Sequence, residues 1–147
     1  MKNIKLKSAF TMIELIFVIV IIGILASVAV PRLAATRDDA VITKARVLVA
    51  SVRNALTMER QKRILRGDHD VISAVGGATG AFGNFDDNTS QPMVLEYAET
   101  NSTDNGRWSV SGGEYTFHST AAGNPVFVVS GGKFICKTGS DCSSLVN

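Results

Sequence analysis

Charge is scarce where this sequence is most hydrophobic. From Phe10 to Val30, FTMIELIFVIVIIGILASVAV, the single charged residue is Glu14. A soluble fold does not need 21 such residues in a row; at about 1.5 Å per residue, a helix of them spans roughly the 30 Å hydrocarbon core of a bilayer. Metal-ligand types are sparse as well, with two cysteines and two histidines in 147 residues. Cys136 and Cys142 have neither histidine near them in sequence, so a zinc site of mixed thiolate and imidazole ligands is not supported. His69 sits between Asp68 and Asp70, but adjacent residues rarely point the same way, and His118 has no fixed partner in sequence. A phosphate-binding glycine loop ending in Lys-Ser/Thr is missing, as is a nucleophile elbow, so no enzyme is expected. No aromatic residue lies between Arg32 and Arg66. That stretch is basic, but without platforms for stacking bases it reads as a solvated face rather than as a direct DNA ligand.

What is present starts with the flanks of the apolar run. Lys2, Lys5 and Lys7 precede it, and Pro31 and Arg32 close it. The positive flank places the N-terminus in the cytoplasm and sends the rest across. Glu14 is the odd residue, because an ionisable group at membrane depth is costly unless it has a partner or a role. An alternative is an ordinary secretory signal cut after Ser27-Val28-Ala29, which would make the product a secreted or membrane-tethered binding domain. The apolar segment from Leu15 to Val30 is long for a signal core, and a glutamate at its head is unusual.

The basic leader of nine residues ending in small Ala9, then Phe10-Thr11-Met12-Ile13-Glu14, then an apolar run closed by Pro31, resembles the type IV pilins and type II secretion pseudopilins. The resemblance covers residues 1 to about 60. It implies cleavage between Ala9 and Phe10 by a prepilin peptidase and N-methylation of Phe10. It also implies pairing of Glu14 with the Phe10 amine of a neighbouring subunit during assembly. The family usually has Gly before the cut; Ala9 departs from this, but Ala is the smallest alternative, and cleavage is expected to survive at a slower rate. Physical chemistry is consistent with the pairing, since an amine and a carboxylate among apolar helices attract without water to screen them.

Past the anchor, about 115 residues remain, enough for one domain. Between Arg32 and Arg66 there are nine basic residues against three acidic ones; from Gly67 onward there are nine acidic against three basic. In a homopolymer these segments offer complementary lateral surfaces. Val41, Ala45, Leu48, Val52, Ala55 and Leu56 recur at helical spacing and predict an amphipathic helix stopping at Gly67. Gly23 and Pro31 weaken the helix locally, and Pro31 is expected to kink it. The Gly-rich stretch after Gly67 reads as a connecting loop, with at most a helical turn at Val71–Val75. Short strands follow at Met93–Tyr97, Arg107–Val110, Glu114–His118, Val126–Ser130 and Lys133–Ile135. Gly112-Gly113 and Gly131-Gly132 take hairpin turns, and Trp108, Val110, Tyr115, Phe117 and Phe127 form the inner face. In an exported head, Cys136 and Cys142 are close enough to pair, and the pair resembles the C-terminal disulfide loop that many pilins carry, although the loop here is short. Asp86, Asp87 and Asp104 are weak calcium candidates that match no spaced loop motif, and no cofactor is expected.

The expected fold is therefore α+β and pilin-like: residues 1–9 a leader, 10–31 a membrane and filament-core helix, 32–67 an amphipathic helix, and 68–147 a loop and antiparallel sheet with a disulfide loop. The expected function is that of a structural subunit of a pilus or secretion pseudopilus, serving protein secretion, adhesion or motility, or DNA uptake. It would sit in a bacterial inner membrane, with a cytoplasmic N-terminus and a periplasmic head. Its partners would be further copies of itself, other pilin-like subunits, the peptidase, an inner-membrane assembly platform and the lipid bilayer.

Overall fold

A computed structural model describes residues 10–77 and 80–146, with the backbone alone at residues 34 and 35. The leader, with its lysines and Ala9, lies outside the described residues. The chain divides into two units, Met1–Arg37 and Asp38–Asn147. Helix α1, Met12–Leu65, contributes to both and runs through Pro31 without ending. The fold is α+β: this long helix, then small antiparallel sheets.

The first unit is helical from Met12 onward among its described residues. Its large side chains, from Phe10 through Ile13, Ile16, Ile19 and Ile22 to Val30 and Leu33, are all exposed. Leucine, isoleucine and valine continue on every face, so no stripe marks a side for burial. The Ser27 hydroxyl is satisfied within the helix, donating to Ile24 O at 2.7 Å, which suits an apolar setting with no water to bond it.

In the second unit the helix becomes amphipathic. Ala45, Val49, Val52 and Leu56 are buried, and Val41, Leu48 and Ala55 pack beside them. The end of α1 is a Schellman motif: Gly67 takes φ 79°, its N–H donates to Ile64 O at 3.0 Å, and the Asp68 N–H donates to Arg63 O at 2.9 Å. Only glycine adopts this left-handed conformation without penalty, so Gly67 stops the helix.

Four strands form a meander in the order β3 (Arg107–Ser111), β4 (Glu114–His118), β5 (Val126–Ser130) and β6 (Lys133–Cys136). Both tight turns, Gly112-Gly113 and Gly131-Gly132, have positive φ at both residues, the combination that matches the twist of the flanking strands. Alternation along the strands sends Trp108, Tyr115, Phe117, Phe127 and Phe134 into the core, with Val110 partly buried against it.

Three elements depart from the sequence expectation. The Gly-rich stretch is not a plain loop: β1 (Val75–Gly77) and β2 (Gly80–Phe85) pair as a two-stranded antiparallel sheet. Buried Phe82 meets Trp108 edge-on at 5.1 Å and stacks on Tyr115 at 5.6 Å. No strand forms at Met93–Tyr97; that segment touches β2 through isolated bridges, Asn84 to Met93 and Ala81 to Glu99. A last short helix, α2 (Ser143–Val146), places Leu145 in the core.

Candidate functional site

The residues singled out at the N-terminal edge start the helix. Thr11 is its N-cap: the Glu14 N–H donates to Thr11 Oγ1 at 3.3 Å, and the Leu15 N–H donates to Thr11 O at 3.1 Å. Thr followed three residues later by Glu is a capping-box sequence, and the glutamate in the first turn also complements the helix dipole. Glu14 therefore has a local structural use beside any intermolecular one. Phe10, 81% exposed, lies just outside the helix, so a backbone amine generated there would not be tied into the helical hydrogen-bond ladder. Gly23 has open space around its Cα.

At the other end of α1 lies an ionic cluster that sequence reasoning missed. Glu59 and Arg63 continue the apolar stripe by three and four residues and are 2% and 4% exposed. Arg63 Nη2 lies 2.7 Å from Asp86 Oδ2, and Arg63 Nε lies 3.3 Å from Glu59 Oε1. Arg66 reaches the same Glu59 oxygen at 3.1 Å. The other oxygen of Asp86 accepts from Ser73 N–H at 2.6 Å and from the Ser73 hydroxyl at 3.0 Å. Burial by itself would raise the Asp86 pKa, but the Ser73 N–H and the Arg63 guanidinium outweigh it and hold the carboxyl below its usual value. Burial likewise opposes the Arg63 cation, yet Asp86 and Glu59 raise its pKa. The cluster ties the helix end to the β1–β2 hairpin. A signal was available, because positions 59 and 63 fall in phase with Val52 and Leu56.

The calcium candidates are thus differently occupied. Asp86 already faces a cation of the protein's own. Asp104 Oδ2 accepts from the Ser102 hydroxyl at 2.8 Å, and the Asp87 carboxylate lies against Gly77. Among the described residues no group of three or more His, Cys, Asp or Glu is placed to hold a metal ion. Cys136 and Cys142 are joined, with sulfurs 2.04 Å apart, fastening α2 to the end of β6. His69 is exposed, whereas His118 Nε2 lies 2.7 Å from Ser109 Oγ across the sheet.

The segregation of charge along the sequence is partly cancelled by folding. Lys44 on the helix pairs with Glu99 at 3.3 Å, Arg107 reaches the same carboxylate at 3.2 Å, and Arg63 takes Asp86. Lys137 also pairs with Glu114. Two basic helix residues, Lys44 and Arg63, are therefore committed to acids of their own head. That removes part of the charge expected to act between copies.

One helix among the described residues is long and apolar enough to cross a membrane, on the strength of its N-terminal part. Comparison with known proteins points the same way. The family described as "Prokaryotic N-terminal methylation motif" matches residues 4–30. The chain is 40% identical over 58 residues to "Type II secretion system core protein G" of Vibrio cholerae serotype O1 (strain ATCC 39315 / El Tor Inaba N16961). That match covers 40% of this chain and 40% of the relative, well under two thirds of its length. No solved structure matches.

Proposed function

We propose that the chain is a structural subunit of the pilin and pseudopilin type that polymerises from the bacterial inner membrane into a pseudopilus-type filament. The reading is supported by the methylation-motif match over residues 4–30 and by the 40% identity over 58 residues to a type II secretion system core protein. The observation that carries this reading is the exposure of every large apolar side chain among the described residues of the first unit, beside a second unit that closes a core of its own. Surface of that extent is stable only in lipid or among other apolar helices. Before assembly residues 10–31 serve as the single-pass anchor, and afterwards as the filament core. Residues 32–67 and 68–147 form the periplasmic head.

Prepilin peptidase removes residues 1–9 by cutting between Ala9 and Phe10, and the new Phe10 amine is N-methylated. Glu14 then meets the Phe10 amine of the adjacent subunit, setting a one-step axial stagger. Local loosening at Gly23 and Pro31 lets the helix adjust as it leaves lipid. The secretion-type filament is favoured over adhesive and DNA-uptake fibres by the similarity to a protein named for the type II secretion system.

The first test is intact-mass and N-terminal analysis of the protein from the membrane fraction. A chain beginning at methylated Phe10 is expected; a soluble chain beginning at Val30 would mean an ordinary signal and sink the reading. Glu14→Val should then leave anchoring and leader removal intact while lowering incorporation into filaments. Glu14→Gln separates the two uses of the residue, because glutamine keeps the capping-box geometry but not the charge. Incorporation of Glu14→Gln at the wild-type level would refute the charge pairing.

A further inference from the structure

The head carries two unlike surfaces on opposite flanks, and from them we infer that adjacent copies meet by a tyrosine knob of one entering an arginine-rimmed groove of the next. This rests on the filament reading above and adds which surfaces touch.

The knob is Tyr97, 81% exposed, with exposed Glu96 beside it. Its arch is pinned at both ends. The Val94 N–H donates to Gly83 O at 2.7 Å, and the Glu99 N–H donates to Ala81 O at 2.9 Å. The Glu99 carboxylate is further held by Lys44 and Arg107. An exposed aromatic on a pinned arch loses little entropy when it docks.

The groove lies between α1 and α2. It has a volume of about 430 Å³ and is lined by Val47, Ala50, Asn54 and Val146 together with Arg46 and Arg53. Both arginines are anchored through Nε, Arg46 to Ser144 O at 2.5 Å and Arg53 to Phe134 O at 3.1 Å. Their terminal guanidinium nitrogens have no partner among the described residues. An apolar floor with a fixed cationic rim complements an aromatic ring with an adjacent carboxylate, and tyrosine and arginine are the residue types enriched at interface hot spots.

Placement argues for a second copy as the occupant. At 100° per residue, Lys44 lies roughly 110° to one side of the Ala45–Val49–Val52–Leu56 stripe, whereas Arg46 and Arg53 lie roughly 80° to the other. The two surfaces also border opposite edges of the sheet: Glu99 meets Arg107 on β3, and Arg53 meets Phe134 on β6. Complementary patches that differ and face apart make a heterologous contact, which propagates as an open chain instead of closing as a dimer.

The test uses the full chain in its membrane. Ala98→Cys, next to the tyrosine so that the ring itself is kept, and Ala50→Cys are combined in one chain, and oxidative cross-linking is followed on a non-reducing gel alongside the N-terminal mass. Ala50 is exposed and Ala98 half-buried, both are small, and the native cysteines are already paired, so neither change disturbs the core. The double variant should give a ladder beyond dimers, the two single variants mixed should give dimers only, and Glu96→Lys added to the double variant should strip most of the ladder. A ladder lost while Phe10 is still processed and filaments still form would overturn this contact and leave the filament reading standing. Cross-linking that stops at dimers, or that Ala98→Cys alone reproduces, would show a closed contact and also overturn it. A soluble chain beginning at Val30 would remove the filament reading and this contact together.

Discussion

Arg63→Met should loosen the end of the long helix from the hairpin it holds. Methionine keeps most of the apolar stem but removes the cation shared by Glu59 and Asp86. Both Arg63 and Glu59 are nearly inaccessible, with side-chain exposures of 5% and 3%. Stripping one partner from such a pair costs about 3–5 kcal/mol where it leaves the other charge buried and uncompensated. The lower end applies, because Glu59 keeps Arg66 at 3.1 Å, and Asp86 is 23% exposed and keeps its bonds from Ser73. For a domain of this size, about 3 kcal/mol corresponds to a fall in Tm of roughly 12 °C. The assay is thermal unfolding of the full chain in detergent, followed by the fluorescence of Trp108, the single tryptophan of the sequence and 1% exposed. The double variant Glu59→Met with Arg63→Met should recover most of the loss, since a buried ion pair is often replaceable by apolar residues. A Tm for Arg63→Met within about 2 °C of wild type, roughly 0.5 kcal/mol, would refute the view that this cluster fastens the helix end.

Three further outcomes follow from the head. The depressed Asp86 pKa means that its contribution is fully present above the ordinary carboxylate value and is lost as pH falls through its lowered one. The Tm gap between wild type and Arg63→Met should therefore narrow in acid, and a gap constant down to strongly acidic pH would contradict this. Tyr115→Phe keeps the ring but removes a hydroxyl that accepts from the Val75 N–H at 2.9 Å and donates to Gly76 O at 2.8 Å. Leaving those buried β1 groups unpaired should cost about 2–3 kcal/mol, and an unchanged Tm would show that the hairpin does not depend on them. Cys136→Ser opens a bridge spanning six positions and should cost roughly 2 kcal/mol by loop-closure entropy. The difference should be seen only under oxidising conditions, and an equal difference under reductant would assign it to something other than the bond.

Sequence by itself determined the elements whose signals are local. The apolar run, the helix stop at Gly67, the meander from Arg107 to Cys136 and its paired-glycine turns are each written within a few neighbouring residues, as periodicity or as obligatory backbone conformation. The N-terminal motif around Phe10 and Glu14 is legible for the same reason. Tertiary structure alone decided the rest. Glu59 and Arg63 look solvated because a charge normally is; their burial is tolerable because they pair with each other and with Arg66 on the helix and Asp86 at the end of the distant hairpin. The Gly-rich stretch has weak strand propensity; Phe82 packed on Trp108 and the Tyr115 hydroxyl bonded to β1 turn it into a hairpin. The charge asymmetry between helix and head was legible in sequence, but Lys44 and Arg63 meet Glu99 and Asp86 within the same chain. Position along a chain fixes the sign of each charge, whereas which charges remain free for a neighbour depends on distances that exist only once the chain has folded.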